Sequence, residues 1–162
     1  MLASGVLLGL IAGTLVRRTW APLQSLKVRW LPWLILGLIG RIVAPFADSL
    51  AMPFYLFALG STAVVAAMNP RLIGAVVVAL GSVLNFAVVF ANWGMPVDPA
   101  ALDAAGARMP GDPLHVALTS TSALATLADV LPVAIVHGVY SVGDVLIASG
   151  AFLIPFVVLT RR

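Results

Sequence analysis

Asp129 and Asp144 stand near the ends of apolar runs. Brought together at such a boundary, two carboxylates can share one proton, so that one acts as base toward water and the other as acid toward a leaving group. Arg41 is the costliest residue, because it interrupts an apolar run and a charge inside a membrane is expensive by several kcal/mol. Its long stem can carry the guanidinium outward to the interface, or it can pair with Asp144, which stands at the same expected depth. Asp144 also has an ordinary reading as an acid in the first turn of a helix, where it meets the positive end of the helix dipole. Asn85 and Asn92 lie seven apart and so fall on roughly one helical face, where buried amides usually bond a neighbouring helix. Ser141 opens the segment Ser-Val-Gly-Asp that contains Asp144. His115 and His137 have no ligand spacing around them, and the chain has no cysteine. Neither a disulfide framework nor a thiolate metal site is available. There is no glycine-rich phosphate loop, nucleophile elbow or haem-attachment motif. No metal and no cofactor is expected.

The elements that must position these groups are apolar and long. Of 162 residues, 62% are hydrophobic and 9% charged, and the mean hydropathy is +1.11. Soluble domains carry about 25% charged residues, so this surface cannot face water all round. A helix needs about 20 apolar residues, with a range of about 17–25, to cross the hydrocarbon core. Runs at 2–16, 30–45, 51–68, 72–91 and 142–160 predict an all-α polytopic membrane bundle of about five transmembrane helices in a single domain, with an extracytoplasmic cap over 92–141. The first run has no basic residue before it and Arg17-Arg18 after it. That order is the reverse of a cleaved signal peptide, so the run is read as a span.

Basic segments stay in the cytoplasm, which predicts an amino terminus outside and a carboxyl terminus inside. Arg17, Arg18, Lys27, Arg29, Arg71, Arg161 and Arg162 then fall on the inner side and Arg108 on the outer. The six aspartates gather outside or near the outer interface. Trp20, Trp30 and Trp33 lie near the inner boundary and Trp93 and Tyr140 near the outer one, as amphipathic rings prefer. The net charge of +3 comes without a basic cluster interleaved with aromatics, so nucleic acid is not an expected partner. The lipid bilayer is. Gly5, Gly9 and Gly13, spaced by four, share one face of the first helix and predict a close helix contact. That contact is either internal or the seam of a homo-oligomer or membrane partner protein. Gly74, Gly81 and Ser82 give the fourth run similar patches.

Within 92–141, Asp98–Ala107 reads as a short helix behind a proline, and Gly111-Asp112-Pro113 as a turn. Leu114, Ala117, Leu118, Leu124 and Leu127 recur at about helical spacing, predicting a surface helix over 114–127. Val130–Val139 is too short to span and reads as a re-entrant hairpin or a strand packed over the bundle.

Three stretches carry a family resemblance: 81–97 (GSVLN through NWGMPV), 115–129 (HVALTSTSALATLAD) and 141–150 (SVGDVLIASG). They resemble an uncharacterised family of small bacterial integral membrane proteins, which implies a plasma-membrane protein and brings no activity. A fainter likeness is to lipoprotein signal peptidase, an intramembrane aspartyl enzyme in which an Asn-Val-Ala-Asp element opens the last helix. By that likeness Asp144 matches one catalytic aspartate. Val88 stands where the other is due, so Asp129 would have to replace it from a different element. Two functions are therefore expected as rivals: a non-enzymatic assembly, accessory or small-ligand-binding component, and an outward-facing hydrolase using Asp129 and Asp144. A carrier is disfavoured because no internal repeat or pair of broken helices is visible.

Overall fold

A computed structural model describes residues 2–17, 20–24 and 26–161. Arg18 and Arg162, two of the basic markers, lie outside the described residues. The apolar runs fold as helices: α1 (Leu2–Arg17), α3 (Leu31–Val43), α4 (Ala51–Ala67), α5 (Ala75–Asn92) and α7 (Val142–Thr160). Between α1 and α3 a single turn, α2 (Ala21–Gln24), was not expected from the sequence. The segment after α5 adds α6 (Pro99–Ala105) and four short strands, β1 (Met95–Val97), β2 (His115–Ala117), β3 (Leu131–Val133) and β4 (Gly138–Tyr140).

Three helices are long and apolar enough to cross a membrane, spanning Asp48–Ala67, Ala75–Asn92 and Val142–Thr160. Leu2–Arg17 and Leu31–Phe46 are apolar but shorter. Local chemistry sets the ends. α3 begins after Trp30, which sits in the left-handed region at φ 64°. α5 begins after Gly74 at φ 99°, a conformation that costs glycine nothing. Asp98 caps α6 by accepting from the Ala100 amide, and Ser141 caps α7. Asn69, buried at the end of α4, accepts from the Arg29 amide at 2.8 Å and donates to the Arg29 carbonyl at 3.0 Å. That pair of bonds pins the loop before α3 to the bundle.

The helices pack in the order α1–α7–α5–α4–α3, and no packed seam joins α1 to α3. The bundle is thus a ring with one open side. Small residues set the closest seams, as expected where backbones must approach each other. Gly5 and Gly9 lie against the backbone of α7 at Ala148 and Phe152, and Gly13 lies against Leu159. The glycine face of α1 is therefore covered by the chain's own last helix. Gly81 and Gly143 face each other across α5 and α7, as do Gly74 and Gly150.

The segment 93–141 departs from expectation over 114–127, which is not a helix. β1 is extended and buried, and it pairs in parallel with β2, Met95 opposite His115. Its edge groups bind the Leu114 carbonyl at 2.8 Å and the Leu118 amide at 2.9 Å. Farther on, the Ser122 hydroxyl accepts from the Thr119 amide at 3.0 Å. Hydroxyls that bond nearby backbone compete with helix formation, and the run Thr119–Ser122 does so here. Residues 131–140 form an antiparallel hairpin of β3 and β4, resting on α6. Its tip is exposed, with Ile135 at 94%.

Candidate functional site

One end of the ring encloses a cavity of about 420 Å³ beneath the 93–141 segment. Arg41 of α3, Tyr55 of α4, Ser82 and Asn85 of α5, Asp144 of α7 and Asp129 all line it. His115 of β2 and Tyr140 of β4 close it from the side of that segment. All five long helices contribute to the wall.

Asp144 is held by a closed hydrogen-bond circuit. The Ser141 hydroxyl donates to Asn85 Oδ1 at 2.9 Å and accepts from the Asp144 amide at 3.0 Å. The Asn85 amide donates to Asp144 Oδ1 at 3.1 Å, and the Ser141 amide donates to Asp144 Oδ2 at 3.3 Å. Asn85 is 2% exposed and Ser141 fully buried, so the circuit satisfies groups that would otherwise cost about 1–3 kcal/mol each. The approach of α7 to α5 at Gly143 and Gly81 permits it, since a side chain at residue 143 would meet the Asn85 amide.

Asp129 reaches the cavity from a different direction. Its amide donates to the Pro96 carbonyl and its carbonyl accepts from the Asp98 amide, both at 2.9 Å. β1 is thus bounded by β2 on one edge and by Asp129 on the other. The Asp129 side chain is only 6% exposed, and its Oδ1 has no hydrogen-bond partner. Burial pushes its carboxyl up to about 8, and the nearby charge of Asp144 adds to the rise. At neutral pH this carboxyl holds its proton. Ser82 Oγ is likewise buried and without a partner.

Arg41 does not form the ion pair expected with Asp144. Its guanidinium carbon lies 4.7 Å above the centre of the Tyr55 ring. Among the described residues no carboxylate pairs with it, and the only ion pair is His115 Nδ1 with Asp112 Oδ1 at 2.7 Å. The reason is geometric. Asp144 is turned back onto its own helix cap, while the tyrosine ring offers the cation an attractive face. Burial works to raise the Asp112 carboxyl, but the bonds from the His115 ring and the Leu114 amide outweigh it and hold it below its usual value.

Of the residues singled out from the sequence, Arg41, Asn85, His115, Asp129 and Asp144 line this one cavity, and Ser141 supports it from behind. Asn92 does not reach it. Its side chain accepts from the Ala123 amide at 2.8 Å and donates to the Ala123 carbonyl at 2.9 Å, fastening the 119–124 turn to the end of α5. His137 braces the hairpin by donating to the Ala105 carbonyl at 3.3 Å. Sequence reasoning missed Tyr55 and Ser82. The available signal was a polar atom inside an apolar run, but Ser61 and Thr62 share the run of Tyr55 and Asn85 that of Ser82, and helical periodicity alone cannot choose among them.

Among the described residues the arrangement offers a cation without a carboxylate partner, a carboxylate with each oxygen accepting one hydrogen bond, and a carboxyl with an unbonded oxygen. Asp129 and Asp144 share the cavity, and the charge of Asp144 acts on the Asp129 carboxyl. No curated protein and no solved structure matches the chain. The model of a family of unknown function, DUF5317, matches residues 16–156, most of the sequence, and the chain belongs to that family.

Proposed function

We propose that this is a polytopic protein of the bacterial plasma membrane whose outer half holds a binding site for a small polar ligand, acting as a non-enzymatic binding or accessory component. In this reading α1, Leu31–Phe46, Asp48–Ala67, α5 and α7 all cross the bilayer, with the amino terminus outside and the carboxyl terminus in the cytoplasm. Segment 93–141 is then the outer cap. The shorter two helices support the reading through what they expose. Leu7, Leu8, Leu15, Ile39 and Ile42 all face outward, far more contiguous apolar surface than a water-soluble monomer carries. At about 1.5 Å per residue, sixteen residues cover about 24 Å, a shortfall that bilayer thinning can accommodate.

The observation that carries the binding role is the pair of orphaned buried groups, Asp129 Oδ1 and Ser82 Oγ, in one cavity. Buried polar atoms are nearly always partnered, and a ligand would supply the missing partners. The test is a melting-temperature screen of the detergent-solubilised protein against small amines, amino acids, polyols and phosphate esters. A ligand at a hundred times its dissociation constant stabilises by about 2.7 kcal/mol. Stabilisation of the native protein that Asp129→Asn removes is expected. If no millimolar solute stabilises the native protein over that variant, the reading fails.

The hydrolase alternative has one observation in its favour, that Asp129 and Asp144 line the same cavity. Such a dyad shares one proton between its carboxyls, whereas each oxygen of Asp144 already accepts a hydrogen bond, one from Asn85 and one from Ser141. Loss of a hydrolytic activity in Asp144→Asn, with the fold intact, would reverse that preference.

A further inference from the structure

A second cavity of about 270 Å³ adjoins the polar one and runs toward the opposite end of the ring. Leu10, Leu34, Val65, Val78 and Ile154 are typical of its wall, which is almost wholly apolar. Leu2 and Thr62 line both cavities, so the two meet at these side chains. The interior of the ring therefore changes character along its axis, polar beneath the 93–141 segment and apolar beyond Thr62. Helices α1, α3, α4, α5 and α7 wall both parts, and the ring is open on the side between α1 and α3.

The polar part holds a cation and a buried carboxyl oxygen that do not pair with each other. The Arg41 guanidinium rests on Tyr55 with no carboxylate partner among the described residues, and Asp129 Oδ1 is buried without a donor. A purely anionic head would satisfy the first and leave the second. A purely cationic head would do the reverse. A head with both an anionic phosphate and an ammonium satisfies both. The polar side chains of the apolar part, Thr62 and Asn69, already bond the chain's own backbone, so this part suits a hydrocarbon chain.

Resting on the binding reading above, we infer that the ligand is an amphiphile. Its phosphate-and-ammonium head lies between Arg41 and Asp129, and its chain lies in the apolar slot beyond Thr62. The open side between α1 and α3 gives such a molecule a path from the surrounding lipid that does not expose its chain to water. The shared head chemistry is also that of a free phosphoethanolamine, which would use the polar cavity alone.

The experiment separates these sources. Delipidated protein in micelles is titrated with lysophosphatidylethanolamine, with phosphoethanolamine, and with lysophosphatidylglycerol, which has the chain but no ammonium. Binding is read by native mass spectrometry. Lysophosphatidylethanolamine should bind tightest, and Asp129→Asn and Arg41→Gln should each weaken it. Ala66→Phe places a ring in the slot and should weaken it about tenfold, the effect of leaving about two methylenes unburied. The same variant should leave phosphoethanolamine binding unchanged, which also certifies its fold. Leu34→Trp obstructs the slot from another helix and should repeat the pattern if Ala66→Phe does not fold. If phosphoethanolamine binds as well as the lysolipid and neither slot variant matters, the amphiphile inference is overturned and the small-ligand reading stands. Equal binding of the two lysolipids, indifferent to Asp129→Asn, also overturns it. If none of the three probes binds, the amphiphile inference is overturned, and the small-ligand reading is decided by the solute screen alone.

Discussion

Replacing Asp129 by asparagine should stabilise the protein at pH 8, and the gain should shrink as the pH falls toward 4. The carboxyl is raised from 3.8 to about 8 by burial and by the charge of Asp144. Between those values the folded chain holds a proton that the unfolded chain has released, so stability falls as pH rises and levels off above the folded value. Each unit corresponds to about 1.36 kcal/mol, and about four units give a ceiling of roughly 6 kcal/mol. Asparagine keeps the shape and the backbone bonds to Pro96 and Asp98 while removing the titration. Arg41, His115, Tyr140 and Asp144 face the same cavity, but they are common to both proteins, and their own titrations drop out of the difference to first order. Asp112, held low, acts only at the acid end. Melting followed by tryptophan fluorescence in micelles should show the two proteins diverging by on the order of 10 °C between pH 5 and pH 8, the equivalent of about 4 kcal/mol. A difference that is independent of pH, or that favours the native protein as pH rises, would refute the claim that burial desolvates this carboxyl.

Gly9→Ile should lower the melting temperature sharply or prevent assembly, because the new side chain meets the α7 backbone at Phe152 and the ring of Pro155; overpacking of this kind costs about 1–3 kcal/mol or more. Asn69→Ala removes bonds to both backbone groups of Arg29 and to the Val65 carbonyl, and chemical denaturation should register a loss of about 2 kcal/mol or more. Ile135→Ser, at a site 94% exposed, should stay within about 0.5 kcal/mol of the native protein in the same assay. For the proposed orientation, single cysteines at Gln24 and Ala104 are to be labelled in intact cells by an impermeant reagent. Reaction at 104 with protection at 24 is expected, and the opposite result inverts the topology.

The five long helices were legible in the sequence because each is an apolar run, broken by a charge only at Arg41, whose length and flanks say where it must stop. The last helix follows the run 142–160 residue for residue. Likewise the short helix behind Asp98 carries its own cap and proline. The 114–127 stretch misled because its leucines recur at helical spacing without sharing a buried face: Leu114 is fully buried, while Leu124 is 46% exposed. What decides its form is a partner, the buried edge of β1, that lies some twenty residues earlier. The candidate site was half legible for a similar reason. Charged and amide side chains in apolar surroundings announce themselves, so Arg41, Asn85, Asp129 and Asp144 could be named. That they meet depends on tertiary packing, and Arg41 turned to a tyrosine ring because Asp144 was already engaged at the cap of its own helix.

The two carboxyl groups are held by unlike means, and this bears on how the proposed ligand would reach them. Asp144 is fixed through Asn85 and Ser141 to a pair of helices locked together by glycines on both sides. Asp129 is fixed by backbone bonds to β1, which is itself buried between β2 and the end of α5. Entry from above would have to break that backbone pairing, because His115, Asp129 and Tyr140 form the roof. Entry from the side has to part only α1 and α3, which share no packed seam. The wall least costly to open is therefore the one that faces lipid in the proposed arrangement, where a ligand with a hydrocarbon chain would already be waiting.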